Sequence, residues 1–237
     1  MGMTKPIRTF LLSLVLLTAW ASLSAQTEEP ALSVRFTCLA WDGVRAHDLT
    51  YRKGDQLEPL RISSSYRSKQ YTYQGANPIV FYRGVITLPD GSTQPRPVAS
   101  ATIPEGQREV LLLFLAAAPD QPDGMEYNVV VIDDSDVRFP WGSYCIYNLS
   151  AHEIGGIFGS EKFVISGKKS KIVMPDSDDL VDVQIHFSQM IEGQWVPKVN
   201  TRWLYRKNAR SIVFVTDDLS ARNPRLKVKS IDQYQKP

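Results

Sequence analysis

The chain is poor in the residues that most often do chemistry. It has two cysteines and three histidines among 237 residues. Two cysteines exclude a small disulfide-dense scaffold, and neither has a nearby cysteine or histidine that would make a zinc or redox motif. His152-Glu153 opens like a zincin motif, but no second histidine follows at helical spacing. No glycine-rich loop sits between a strand and a helix, so a phosphate-binding loop is absent as well. Long apolar runs are missing beyond the first 25 residues; the 110–118 stretch is only strand-sized. Helical periodicity is scarce too, which excludes a coiled coil or a helical bundle. What remains is an ordinary globular composition, 43% hydrophobic and 22% charged, with enough apolar material for one large or two small cores.

Residues 1–25 have a different character. Lys5 and Arg8 precede an apolar stretch from Phe10 to Trp20, and Ala21, Ser22, Ser24 and Ala25 follow. A basic start, a short apolar middle and a small-residue exit are the marks of a secretory signal peptide, with cleavage expected after Ala25. The sequence therefore predicts an exported protein, periplasmic or extracellular, with no transmembrane segment once the signal is removed. A lean, cysteine-poor exported chain further suggests a bacterial envelope. Without its signal the chain is electrically neutral, but residues 26–136 carry 10 basic and 15 acidic side chains, and residues 137–237 carry 15 and 10. Opposite net charges of −5 and +5 would favour docking of the two halves.

Alternation of period two recurs along the chain, as half-buried strands require. Val181, Val183, Ile185 and Phe187 alternate with polar residues; Val34, Phe36, Cys38 and Ala40 do so less cleanly because Leu39 intervenes. The runs 110–115, 129–132 and 212–215 are continuously apolar, the pattern of strands covered on both faces. Turn signals separate them: Pro89-Asp90-Gly91, the Pro/Asp-rich 119–124 segment, Ser166-Gly167 and Glu192-Gly193. Gly155-Gly156 reads as a bulge or tight hairpin.

A weak self-similarity runs through the mature chain. Ala46-His47-Asp48-Leu49 with Gly54 matches Ala151-His152-Glu153-Ile154 with Gly159 at a spacing of 105 residues. Arg108-Glu109-Val110 matches Arg210-Ser211-Ile212, and Val131-Ile132-Asp133 matches Ser230-Ile231-Asp232. Cys38 and Cys145 lie 107 apart, each in the first strand of its half. The predicted fold class is therefore all-β: two tandem, similar antiparallel β-sandwich domains of Ig-like type, arisen by internal duplication, with a single larger sandwich as the alternative. The expected division is 1–25 signal peptide, 26–136 first domain and 137–237 second domain, joined by the short 133–140 connection.

Candidate sites are few. The cysteines, brought together by adjacent first strands, would close a loop worth roughly 4–5 kcal/mol as a disulfide; separate buried thiols are the alternative. The clusters Asp133-Asp134-Ser135-Asp136 and Asp176-Ser177-Asp178-Asp179 match no calcium-loop pattern and read as self-capped turns. Asn148-Leu149-Ser150 is a sequon at a strand end. His186 sits on the polar face of a strand, and His47 and His152 belong to matched turns. The basic stretch from Lys198 to Lys229 stands out, with Trp203 and Tyr205 set among Arg202, Arg206, Lys207 and Arg210. Guanidinium groups pair with carboxylate or phosphate and rings stack on sugars, so these six residues form the candidate binding site. Trp41, Trp141 and Trp195 are further candidates for a sugar platform. The sequence leads to an exported, non-enzymatic binding or structural protein of the bacterial envelope, with no cofactor, no metal and no nucleic acid. Its partner would be an envelope protein or an acidic polysaccharide. A carbohydrate- or anionic-polymer-binding module is the main alternative, and a hydrolase or lyase with a dispersed site is a further one.

Overall fold

The computed structural model describes residues 31–41, 43–117, 124–218 and 225–235. The expected signal segment and the Pro/Asp-rich 119–123 turn lie outside them. Among the described residues there are sixteen strands and no helix, so none is long and apolar enough to cross a membrane.

The strands form four sheets of four, arranged in two pairs. In the first pair, the inner sheet joins β1 (Leu32–Ala40), β4 (Tyr71–Gly75), β7 (Glu109–Ala116) and β8 (Tyr127–Asp133) in the order β4-β1-β7-β8. The outer sheet joins β2 (Thr50–Lys53), β3 (Gln56–Pro59), β5 (Ile79–Thr87) and β6 (Thr93–Ala101) in the order β3-β2-β5-β6. In the second pair, the inner sheet is β12-β9-β15-β16, from β9 (Tyr144–Asn148), β12 (Ser170–Val173), β15 (Ala209–Asp218) and β16 (Arg225–Tyr234). The outer sheet is β11-β10-β13-β14, from β10 (Ile154–Phe158), β11 (Glu161–Ile165), β13 (Asp182–Ile191) and β14 (Gln194–Leu204). Adding eight to every strand number of the first pair reproduces the second. The same two pairings are parallel, β1 with β7 and β9 with β15, and all others are antiparallel.

Three apolar clusters fill the spaces between these layers, and side-chain alternation decides which residue joins which. On β1, Val34, Phe36 and Cys38 face the first outer sheet, while Leu39 faces the second inner sheet. The continuous run on β7 divides the same way: Val110, Leu112 and Phe114 go outward, Leu111 and Leu113 toward the other pair. On β15, Val213 and Val215 enter the second pair's own core, and Ile212 and Phe214 enter the shared cluster. This is why these runs are apolar at every position. Their strands are buried on both faces because two inner sheets pack against each other. The expected attraction of opposite charges is thus a minor part of the seam, whose centre is apolar and includes Phe139 from the connection.

The matched segments found in the sequence are equivalent in three dimensions only in part. Leu49 and Ile154 are both fully buried at the entry to β2 and β10, and Gly54 and Gly159 turn their hairpins at φ of 59° and 61°. A left-handed turn of this kind favours glycine because it has no Cβ. Ile132 and Ile231 are also equivalent, each in the shared cluster opposite Leu111 and Ile212. The Val110–Ile212 match is one residue out of register, since Val110 faces its own pair's core and Ile212 the seam. The same slip separates the cysteines. Cys38 lies on the face of its sheet turned away from the seam and Cys145 lies in the seam, and both are free, buried thiols. They do not form the disulfide that adjacent first strands would have allowed.

Gly155-Gly156 is neither bulge nor hairpin. Both glycines sit within β10, in regular pairing with β11 and β13. A Cβ on Gly156 would overlap the ring of its cross-strand partner Phe163, and one on Gly155 would meet the Trp195 ring at 3.0 Å. The glycines leave room for two aromatic rings to lie on the backbone. The bulge in this sheet falls instead on β14, between the Phe187–Val199 and Ser188–Pro197 pairs.

Candidate functional site

The basic stretch runs from β14 through β15 into β16, and its six candidate residues lie on β14, the turn after it and β15. Alternation scatters them. Arg202 is exposed on β14 and its Nε donates to Oε1 of Gln184 across the sheet at 3.0 Å. Trp203, one position on, turns inward and packs on Tyr144 at 6.0 Å and edge-on to Phe158 at 5.7 Å. Tyr205 is buried in the second core, and burial, with Asp179 adding to it, pushes its phenol above the usual range. Arg206 lies over the ring of Tyr234 at 5.9 Å. Lys207 is exposed, and its backbone N–H donates to Oδ1 of Asp179 at 2.8 Å. Arg210 does not face solvent at all: it is 4% exposed and stacks between Phe139 and Trp141 at 4.9 and 4.7 Å. Its Nη1 donates to Asp136 and to the carbonyl of Phe139, and its Nε donates to Gln233.

Three of the six, Arg202, Trp203 and Arg206, line one cleft of about 400 Å³ between β14 and the second inner sheet. The opposite wall comes from residues the sequence reading did not single out: Tyr144, Asp232 and Tyr234. Asp232 accepts hydrogen bonds from the hydroxyls of Ser211 and Ser230 at 2.7 and 3.0 Å, which fixes its carboxylate at the cleft wall. Burial, with the Asp232 carboxylate adding to it, pushes the Tyr144 phenol up to about 12, so it stays a neutral donor throughout the physiological range. Two cations, one carboxylate, hydroxyls and rings in one cleft are the groups that recognise polyhydroxylated or anionic ligands. Tyr234 is an exposed aromatic on β16, five residues beyond Lys229, and its nearness to the basic stretch could have identified it. Tyr144 lies too far away in the chain for any local pattern to join it to Arg202.

The other candidates have structural work. The three tryptophans do not share a platform: Trp41 packs edge-on to Phe214, Trp141 on Arg210, and Trp195 over Gly155. Asn148 of the sequon is fully buried, its Nδ2 donating to the carbonyls of His152 and Ile165 and its Oδ1 accepting from Ser150. The matched histidines organise turns through their backbone: the His47 carbonyl accepts from Arg83, and the His152 carbonyl from Asn148 and Ser150. Asp133 caps Ser135, and Asp134 and Asp136 bind arginine. A second and larger cleft, about 700 Å³, opens at the first pair and is lined by Arg35, Lys53, Arg108 and Tyr73.

Compared with known proteins, the chain matches no family and no curated protein.

Proposed function

We propose that this is an exported, non-enzymatic binding protein of the bacterial envelope, built from two similar Ig-like sandwiches descended from one duplicated domain, with 26–136 and 137–237 as the two units. The shift of eight in strand order and the paired left-handed glycines Gly54 and Gly159 support the duplication. The observation that carries the binding role is the cleft in which Arg202 and Arg206 stand with Trp203, Tyr144, Tyr234 and Asp232. Its chemistry suits an acidic polysaccharide: guanidinium groups meet carboxylates, fixed hydroxyls and Asp232 meet sugar hydroxyls, and Tyr234 offers a ring face.

The test is retention of the mature chain on an immobilised polyuronate beside a neutral glucan. Retention on the polyuronate alone, released by salt and weakened about tenfold or more in the Arg202→Ala/Arg206→Ala double variant, supports the reading. Equal retention of wild type and double variant removes the cleft from consideration. Cross-linking in the native envelope distinguishes the polysaccharide from the other partner class, an envelope protein, which would be recovered as a discrete adduct.

A further inference from the structure

The face of β1 that looks toward the second pair changes character along its length. Trp41 beyond its end and Leu39 belong to the apolar seam, whereas Thr37 and Arg35 line a cavity of about 430 Å³ at the other end. Arg67, from the connection between β3 and β4, stands in the wall of this cavity with its side chain 8% exposed. Its Nη1 donates to both carboxylate oxygens of Asp134, at 2.8 and 2.7 Å. Its Nε and Nη2 are buried and meet no acceptor among the described residues. Those two nitrogens share one edge of the guanidinium, the edge whose parallel N–H bonds match two oxygens of a carboxylate or phosphate. The Oγ1 of Thr37, lining the same cavity, is likewise buried without a partner.

A buried, charged donor edge with nothing to donate to is expensive, and folded proteins keep few of them. The carboxylates around the cavity are already engaged. Asp134 holds Arg67 and Arg210, Glu109 holds Arg35, and Asp232 carries the hydroxyls of Ser211 and Ser230. The other cations of the lining have acids of their own, Lys69 with Glu58 at 3.6 Å and Arg210 also with Asp136 at 3.0 Å, so it is the second edge of Arg67 that is left without a partner among the described residues. We propose that this cavity binds a compact oxyanion, a carboxylate or phosphate carried by a larger ligand. The Nε and Nη2 of Arg67 receive it as a fork, and the Thr37 hydroxyl donates a third hydrogen bond. The fork lies behind the cavity surface, so entry needs a rearrangement of the lining. This site rests on Arg67 and Thr37 and is independent of the Arg202 cleft.

The experiment follows the Hε–Nε resonance of Arg67, assigned through its own backbone in the isotope-labelled full chain. Inorganic phosphate and acetate are titrated separately, with ionic strength held constant by chloride. A saturable downfield shift with both anions supports a general oxyanion site, and a shift with one alone supports it and names the class. Thr37→Val keeps a β-branched residue on β1 and is expected to weaken that titration roughly fivefold, the worth of one hydrogen bond. Flat titrations with both anions overturn the proposal, as does an affinity untouched by Thr37→Val.

Discussion

Arg67 and Asp134 are held together by a single guanidinium nitrogen that donates to both carboxylate oxygens, with the two side chains 8% and 10% exposed. The pair ties the loop before β4 to the connection between the two sheet pairs. Arg210 approaches the same carboxylate from β15 at 3.5 Å. One buried acid thus serves two buried cations, one from each half of the chain.

Asp134→Asn keeps the shape and removes the charge, leaving Arg67 and Arg210 buried beside a neutral amide. The expected loss is about 3–5 kcal/mol, the range for breaking a buried ion pair from one side. Asp136→Asn also removes a partner of Arg210, but Asp136 is 66% exposed, so the expected loss there is below about 1 kcal/mol. Urea denaturation of both variants measures the contrast.

Gly156→Ala places a methyl group in the space occupied by the Phe163 ring, whose residue belongs to the second core. Overpacking of this kind costs about 1–3 kcal/mol. Because the clash is with one ring, the cost should shrink in a Phe163→Leu background, and a double-mutant cycle reads that coupling directly.

Both thiols are expected to be free but silent. Burial, with Asp134 adding to it, pushes Cys145 up to about 12, and burial raises Cys38 further still. At pH 8 the Cys145 thiolate fraction is then about one in ten thousand. A thiol reagent should find no fast-reacting group in the native protein and two after denaturation. The same shifts set a pH dependence. The unfolded thiols ionise from about pH 9 while the folded ones stay neutral, so stability falls as pH rises from 9 toward 12. Thermal melts across that range measure the slope.

Glu192 and Gly193 close the β13–β14 hairpin with φ of 49° and 79°, a two-residue turn in which both residues are left-handed. Asparagine tolerates that conformation better than glutamate, so Glu192→Asn should stabilise by about 0.5–1 kcal/mol. A rise in the urea midpoint without a change in slope is the expected signature.

Much of the architecture was legible in the chain because strand burial writes itself into local pattern. Val183, Ile185 and Phe187 alternate because one face of β13 meets a core, and 212–215 is uniformly apolar because β15 meets two. Gly54 and Gly159 stood out because a left-handed turn selects glycine. The candidate site was legible only in part. Arg202, Trp203 and Arg206 could be singled out together as a basic, aromatic stretch, but Tyr144 reaches the same cleft from a strand far away in sequence, and Asp232 just beyond the stretch carries no local mark of its role.

The sequence by itself determined the all-β class, the strands with clear alternation or continuous apolar runs and several of the turns, since these depend on period-two alternation and on the backbone freedom of a few residues. Tertiary structure alone decided the facing of each side chain, because a shift of one position exchanges the two faces of a strand. That shift turns Cys38 away from the seam and Cys145 into it, buries Arg210 while Arg202 stays outside, and converts Gly155-Gly156 from a supposed bend into a seat for two rings. The tertiary fold also sets the edge of Arg67 that has no partner among the described residues into the wall of the seam cavity, a juxtaposition that no local pattern in the chain records.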